Sequence, residues 1–179
     1  MAKIYRSAAT GLLLAAMAGS TLAATASPAS ASSSSSGWRC HTSYKSIDNP
    51  GDWGPAPDNW DFTVKNCIKR QGGSVFAAAK VSWDGPIGGA RWDRDPHFRL
   101  YVMQSAPGTD RVVAHRDFHI GYALNRHDRW GDHDGSFDTG AWRVRTGKRG
   151  LYAGGALKID WAGDDRGVRH YGFSPSPRV

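Results

Sequence analysis

The segment His115-Arg116-Asp117-Phe118-His119 places two imidazoles four residues apart with a carboxylate between them. On a helix that spacing brings the rings within about 6 Å, close enough to share a zinc ion. Here Val112, Ala114, Phe118, Ile120 and Tyr122 recur at even spacing, with Arg116 the odd member, and period two predicts a strand. Four strand residues span about 13 Å, too far for both rings to reach one ion. The pairs His115/Asp117 and Asp117/His119, about 6.6 Å apart, leave room for one pair acting with outside ligands. The plainer expectation is the polar side of a half-buried strand.

A second group lies in the run from Asn125 to Asp138. Carboxylates at Asp132, Asp134 and Asp138, with Gly135 for a sharp turn, match part of a calcium loop. In that register the first ligand position falls on Trp130 and the bidentate glutamate position on Ala141, so two primary ligands are missing. Extracellular calcium still fills weak sites, with dissociation constants of about 10⁻⁴–10⁻³ M. Calcium is therefore the one metal to test here, against a polar hairpin loop. No cofactor is required by any other pattern.

Eight tryptophans in a chain of 179 residues set a third question. Trp83, Trp142 and Trp161 fall on strand faces expected to turn inward. Trp38, Trp53, Trp60, Trp92 and Trp130 sit among loop-forming Asp, Asn, Gly and Pro. Trp53, Trp60, Trp92 and Trp130 are the candidate ligand-stacking residues, because an indole face covers apolar pyranose C–H groups while polar neighbours hold hydroxyls. The alternative is that they close the ends of the core. Arg143, Arg145, Lys148 and Arg149 form a basic cluster, with Arg143 and Arg145 on one strand face, suited to an anionic polymer or simply to solvent.

Enzyme signatures do not appear: there is no G-x-S-x-G, no H-E-x-x-H, and no Walker or Rossmann glycine pattern. Asp160, Asp164 and Asp165 supply carboxylates of the type glycoside hydrolysis uses, in a context that reads more naturally as a hairpin turn.

The elements carrying these groups are mostly β. All sixteen acidic residues are Asp, a turn and cap former, and 22 Gly and nine Pro oppose long helices. Phe62, Val64 and Ile68 share one face of a strand, with Lys65, Cys67 and Lys69 on the other. After a turn at Gln71-Gly72-Gly73, Val75, Ala77, Ala79, Val81 and Trp83 repeat at period two. Further strands are predicted around Phe98–Val102, Val112–Tyr122, Trp142–Thr146, Leu157–Trp161 and Val168–Phe173. About seven strands with short turns predict an all-β fold, an antiparallel sandwich. Residues 38–61 read as an irregular arm.

The N-terminus begins Met1-Ala2-Lys3-Ile4-Tyr5-Arg6, continues through an apolar run containing Leu12-Leu13-Leu14, and offers Ala24-Thr25-Ala26 and Ala29-Ser30-Ala31. Basic, apolar, then small-x-small is the secretory pattern, with cleavage expected after Ala31. Gly19-Ser20-Thr21 cuts the run short of the ~20 residues a membrane span needs. Removing 1–31 leaves 148 residues, one domain's worth, with a net charge of +5, since the leader holds two basic residues and no acid. Residues 32–37 are a Ser-rich flexible segment, and 38–179 form one β domain. Cys40 and Cys67 are expected as a disulfide in an oxidising compartment.

The leader ending Ala29-Ser30-Ala31, the run Asn66-Cys67-Ile68-Lys69 opposite an early Cys40, and the tail Tyr171-Gly172-Phe173-Ser174-Pro175-Ser176-Pro177-Arg178 resemble the small secreted β-domain proteins of actinomycetes. That resemblance implies the fold and the extracellular address, and no function. The expected activity is that of a secreted binding or accessory domain for cell-wall or other extracellular polysaccharide, anionic or neutral. A hydrolase using the Asp and His groups of 115–138, and a protein effector or inhibitor, are the alternatives. No nucleic-acid partner and no membrane anchor are expected, and the chain is expected to be a monomer.

Overall fold

A computed structural model describes residues 37–48, 59–87 and 90–179. The chain divides into Met1–Ser32 and Ser33–Val179, and every described residue belongs to the second unit. The expected leader 1–31, the serines 32–36 and Trp53 lie outside the described residues.

Alternation shapes the chain as predicted. The strands are β1 (Arg39–Ile47), β2 (Trp60–Gln71), β3 (Ser74–Asp84), β4 (Trp92–Gln104), β5 (Arg111–His119), β6 (Gly135–Asp138), β7 (Trp142–Arg145), β8 (Leu151–Trp161) and β9 (Arg169–Phe173). A one-turn helix, α1 (Gly121–Leu124), follows β5. All strand pairs are antiparallel. One sheet runs β1-β2-β3, with β6 and β7 sharing the far edge of β3; the other runs β5-β4-β8-β9. Phe62, Val64 and Ile68 from β2, alternate residues from Val75 to Val81 of β3, Phe98, Leu100 and Val102 from β4, and Leu157, Ile159 and Trp161 from β8 meet in one core. Among the described residues, no helix is long and apolar enough to cross a membrane.

Nine strands rather than about seven are present among the described residues, and the two additions are β1 and β6. The arm read as irregular is a regular strand over Arg39–Ile47; its residues 49–58 lie outside the described residues. β1 is an edge strand, and Ile47 is its one core residue, so its sequence carries no alternation to read. The Cys40–Cys67 disulfide is present, with Cα atoms 4.1 Å apart. It joins directly opposed residues of β1 and β2. It therefore pins β1 beside β2 in the same sheet instead of laying an arm across the outer face, and β1 thereby covers the β2 edge.

The predicted strand through Tyr122 also stops early. Ile120 turns inward, fully buried, to start α1, while Tyr122 points to solvent at 84 % exposure. β8, by contrast, begins six residues before the predicted Leu157, and all eleven of its residues are buried. Gly155 explains part of this: a Cβ there would come within 2.3 Å of the Phe98 ring and 2.9 Å of Asn66 Oδ1. The glycine thus admits two large neighbours to the core. Asn66 itself is fully buried among apolar residues and donates from Nδ2 to the Ser174 carbonyl at 2.9 Å, tying the first sheet to the C-terminal tail. That tail lies along β8 through paired Val179–Leu151 backbone bonds, the Ser176 N–H donating to the Ala153 carbonyl, and the Ala153 N–H donating to Ser176 Oγ.

Candidate functional site

The loop from β5 to β6 closes one end of the sandwich, and its own side chains give it shape. Asp128 Oδ1 accepts from the backbone N–H groups of Trp130 at 2.7 Å and Asp132 at 3.1 Å. The Asp128 N–H donates to the Asp132 carbonyl, and Gly131 takes the left-handed conformation at φ 83°. A carboxylate thus does here what a bound cation does in a calcium loop: it gathers the backbone into a tight turn. His133, 8 % exposed, fastens the loop to the body through Nδ1 and the Leu124 carbonyl at 3.0 Å.

Beneath this loop lies a pocket of about 360 Å³ lined by Trp83, Arg126, His127, Asp128, Asp134 and Ser136. Trp83 reaches it from the end of β3 because Gly135, its partner on β6, has no side chain; a Cβ at 135 would sit 2.7 Å from the indole. The Trp83 indole N–H has no acceptor among the described residues. The walls carry both acceptors, Asp128 and Asp134, and donors, Arg126 and His127. Trp130 stands in the tight turn, 71 % exposed, with the Arg129 guanidinium 4.8 Å over its ring. Ile87 and Tyr122, also exposed, come from the neighbouring loop and from α1.

The expected metal-binding carboxylates do not all converge. Asp132 and Asp134 offer oxygens within 4.8 Å of one another, but the third member is Asp84 from the end of β3, not Asp138. Asp138 ends β6 opposite Lys80 and accepts from the Gly140 N–H. β6 is extended, so three strand residues carry Asp138 about 10 Å from Gly135. An all-oxygen trio suits a hard cation such as calcium rather than zinc. Its like charges act on one another: Asp134, foremost, raises the Asp84 carboxyl above its ordinary range, with burial and then Asp132 and Asp61 adding to it.

A folded-state carboxyl raised in this way binds its proton more tightly than in the unfolded chain. The cost to stability is absent in acid and is fully present once pH exceeds the raised value. Asp84→Asn should therefore raise the melting temperature at about pH 7 by on the order of 1–2 °C, a small gain because the site is exposed. At about pH 3 the gain should vanish. Thermal scans in chelator, which keeps any bound cation from masking the repulsion, check this; a variant that melts lower at neutral pH contradicts it.

The tryptophans divide sharply. Trp60 opens β2 and is fully buried, stacked on Phe62 at 6.0 Å. Trp92 opens β4, half-buried between Trp60 at 5.7 Å and Trp161 at 5.1 Å, and donates from Nε1 to Asn125 Oδ1. Both were expected in loops as ligand-stacking residues; packing against the core takes them out of that role. Trp130 alone of the described candidates presents its ring to solvent. Arg143 and Arg145 lie on β7, outward and exposed, opposite Phe76 and Ser74. Arg143 Nε donates to Ser74 Oγ at 3.0 Å, and nearby Lys69 sits over the Trp38 and Phe76 rings. This basic patch pairs with the start of β3, whereas the pocket lies at its end, so the two are separate places.

His115, Asp117 and His119 share the outer face of the second sheet, as period two predicts. Asp117 is held by both Nε and Nη2 of Arg99 at 2.6 Å, which keeps its carboxyl below the usual range. His119 Nδ1 meets Asp95 Oδ2 at 2.8 Å. These groups do not meet the loop carboxylates. Asp160 pairs with Arg94, and Asp164 with Arg169, so neither stands ready as a hydrolytic pair. Trp83 and Asp84 were missed as site residues because both belong to a strand some fifty residues before the loop; only the rule that strand ends border loop sites could have pointed to them.

Fold and site together define a disulfide-linked antiparallel β-sandwich with a tryptophan-lined pocket between the loops at one end. No family model, no curated protein and no solved structure matches this chain.

Proposed function

We propose that this is an exported binding domain that takes a sugar unit of an extracellular polysaccharide in the loop-end pocket. The pocket carries the reading: an indole with an unanswered N–H lies beside two carboxylates, a guanidinium and an imidazole. Sugar hydroxyls both donate and accept, and a lining that holds acceptors and donors beside an aromatic wall is what such a ligand needs. Trp130 adds a stacking surface two residues from Asp128, with Arg129 covering one face of the ring. The secretory pattern of residues 1–31, cut after Ala31, supplies the address, and a cross-strand disulfide fits an oxidising compartment. A hydrolase finds less support from His115, Asp117 and His119, which stand apart from the loop carboxylates.

Retention of the mature protein on insoluble wall polysaccharide tests the proposal. Trp130→Ala should weaken retention about tenfold while leaving thermal stability within about 0.5 kcal/mol, because the ring is exposed. Equal retention of variant and wild type would remove stacking at Trp130. Failure of both to bind any glycan, with capture of a protein partner by the same turn, would favour the effector reading instead.

A further inference from the structure

Along β5, His115 and His119 stand too far apart to share an ion, but the ladder supplies a nearer partner. His119 lies directly opposite His97 of β4, on the same outer face of the second sheet, with ring centroids 6.2 Å apart. With metal–nitrogen bonds of about 2.0–2.1 Å, two imidazoles on one ion have their centroids about 5–6.4 Å apart. The observed separation falls within that span.

One residue prepares both rings. His119 Nδ1 meets Asp95 Oδ2 at 2.8 Å, and His97 hydrogen-bonds to the Asp95 backbone. Each ring thus spends one nitrogen on Asp95 and keeps the other. β4 is deformed to put Asp95 there: the step from Arg94 to His97 takes three residues, while its partner β8 takes two from Asp160 to Lys158. A bulge of this kind re-aims a side chain. The chain also holds glycine at 121, where a Cβ would collide with the Asp95 carboxylate and come within 2.9 Å of the Pro96 ring. Gly121 is not among the glycines with positive φ, so what it provides is room for that carboxylate. An exposed imidazole–carboxylate pair adds little to stability, and stability alone does not account for a bulge and a glycine that serve it.

We propose that His97 and His119 bind a divalent transition-metal ion across the β4–β5 ladder, with Asp95 as the positioning residue that fixes both rings. Imidazole nitrogen suits zinc, copper and nickel, whereas calcium takes oxygen. A metal-binding histidine usually rests its other nitrogen on a carboxylate or a main-chain carbonyl, and Asp95 offers the first to His119 and its backbone to His97. The surrounding charges leave room for a cation. Arg99 is tied to Asp117 and Arg94 to Asp160. Lys158 stands opposite His97 on β8, on the side away from His119. The Asp95 carboxylate, on His119 rather than on a guanidinium, offsets part of the added charge. Two protein ligands leave the remaining positions of the ion to water. Neither histidine lines the loop-end pocket, so the site stands whether or not that pocket takes a sugar.

The test is a titration of the mature protein, first stripped with chelator, with zinc chloride. The ring resonances of His97 and His119 should shift together and saturate while those of His41 stay in place, and the melting temperature should climb with zinc. Calcium chloride at the same concentrations should leave both rings unmoved, which separates this site from the Asp84, Asp132 and Asp134 carboxylates. His97→Gln and His119→Gln should each weaken zinc binding at least tenfold, and Asp95→Ala about tenfold. In chelator, His119→Gln and Asp95→Ala should melt within about 2 °C of the wild type, since both side chains are exposed. A merely structural Asp95 would lower that melting temperature and leave zinc affinity as it was. Absence of saturable ring shifts, or zinc binding by His119→Gln equal to that of the wild type, overturns the proposal. Trp130→Ala should leave zinc binding untouched.

Discussion

Trp60→Ala should lower the unfolding free energy by about 3–5 kcal/mol, the usual range for deleting a fully buried aromatic side chain. For a domain whose whole stability is about 5–15 kcal/mol, that is a large share. The ring is fully buried and touches four groups that have little else in common: Phe62, Trp92, the His133 imidazole at 6.0 Å, and the backbone at Gly85. A Cβ on Gly85 would fall 2.7 Å from the indole, so the chain leaving β3 bends directly over the ring. The expected loss therefore has two parts. Core burial disappears, and His133, the fastener of the 125–134 loop, loses a wall. Denaturant unfolding measures the first part, and amide exchange at residues 126–134 the second. A variant losing less than about 1 kcal/mol, with loop exchange unchanged, would mean that the core refills the space and that the pocket does not depend on this ring. Trp130→Ala makes the contrast: binding falls and stability holds.

That Trp60 was readable as a loop residue and proves to be core shows where local sequence stops informing. Period two is a property of a strand with one wet face, and it reveals the middle of β2, β3 and β4, where Phe62, Val64, Ile68, Val75, Ala77, Ala79, Val81, Trp83, Phe98, Leu100 and Val102 are all buried. It says nothing of strand ends. Trp60 and Trp92 each open a strand beside Asn, Asp or Arg, so composition points to a loop while packing against Trp161 and Phe62 decides otherwise. β1 escaped because an edge strand buries too little to leave a pattern. The first half of β8 escaped for the opposite reason: Leu151-Tyr152-Ala153-Gly154-Gly155-Ala156 is poor in β-formers, yet every one of its residues is buried.

The site was legible to a similar depth. Asp132 and Asp134 share a short loop and were found together; Asp138 was added by spacing on a pattern that the extended β6 does not follow. Asp84 could not be found by spacing at all, since the long-range pairing of β3 with β6, not a motif, brings it there.

Cys40→Ala with Cys67→Ala should cost at most about 3.6 kcal/mol, the loop-closure value for a loop of about 28 residues. The bridge joins positions already opposed across nine paired residues, so its two modes of action predict different patterns. If it acts on the unfolded chain alone, the variant loses stability globally and every slowly exchanging amide loses the same protection. β1, however, contributes little to the core beyond Ile47, and its outer edge has no partner strand among the described residues. Without the bridge it is held by ladder bonds, by Ser43 Oγ, which accepts from the Ser174 N–H, and by Arg39 Nη1, which donates to the Arg178 carbonyl. Fraying of β1 should then precede unfolding. Amides of residues 39–47 should exchange much faster than those of β3 and β8, and the global loss should fall below the loop-closure value, because part of the bridge's effect is local. Uniform loss across all strands would show instead that β1 is an integral part of the cooperative fold. In either case the uncovered β2 edge gives the variant a route to sheet-to-sheet association, so the exchange measurement belongs at low protein concentration, and a concentration-dependent melting temperature would reveal that β1 protects the edge as well as extending the sheet.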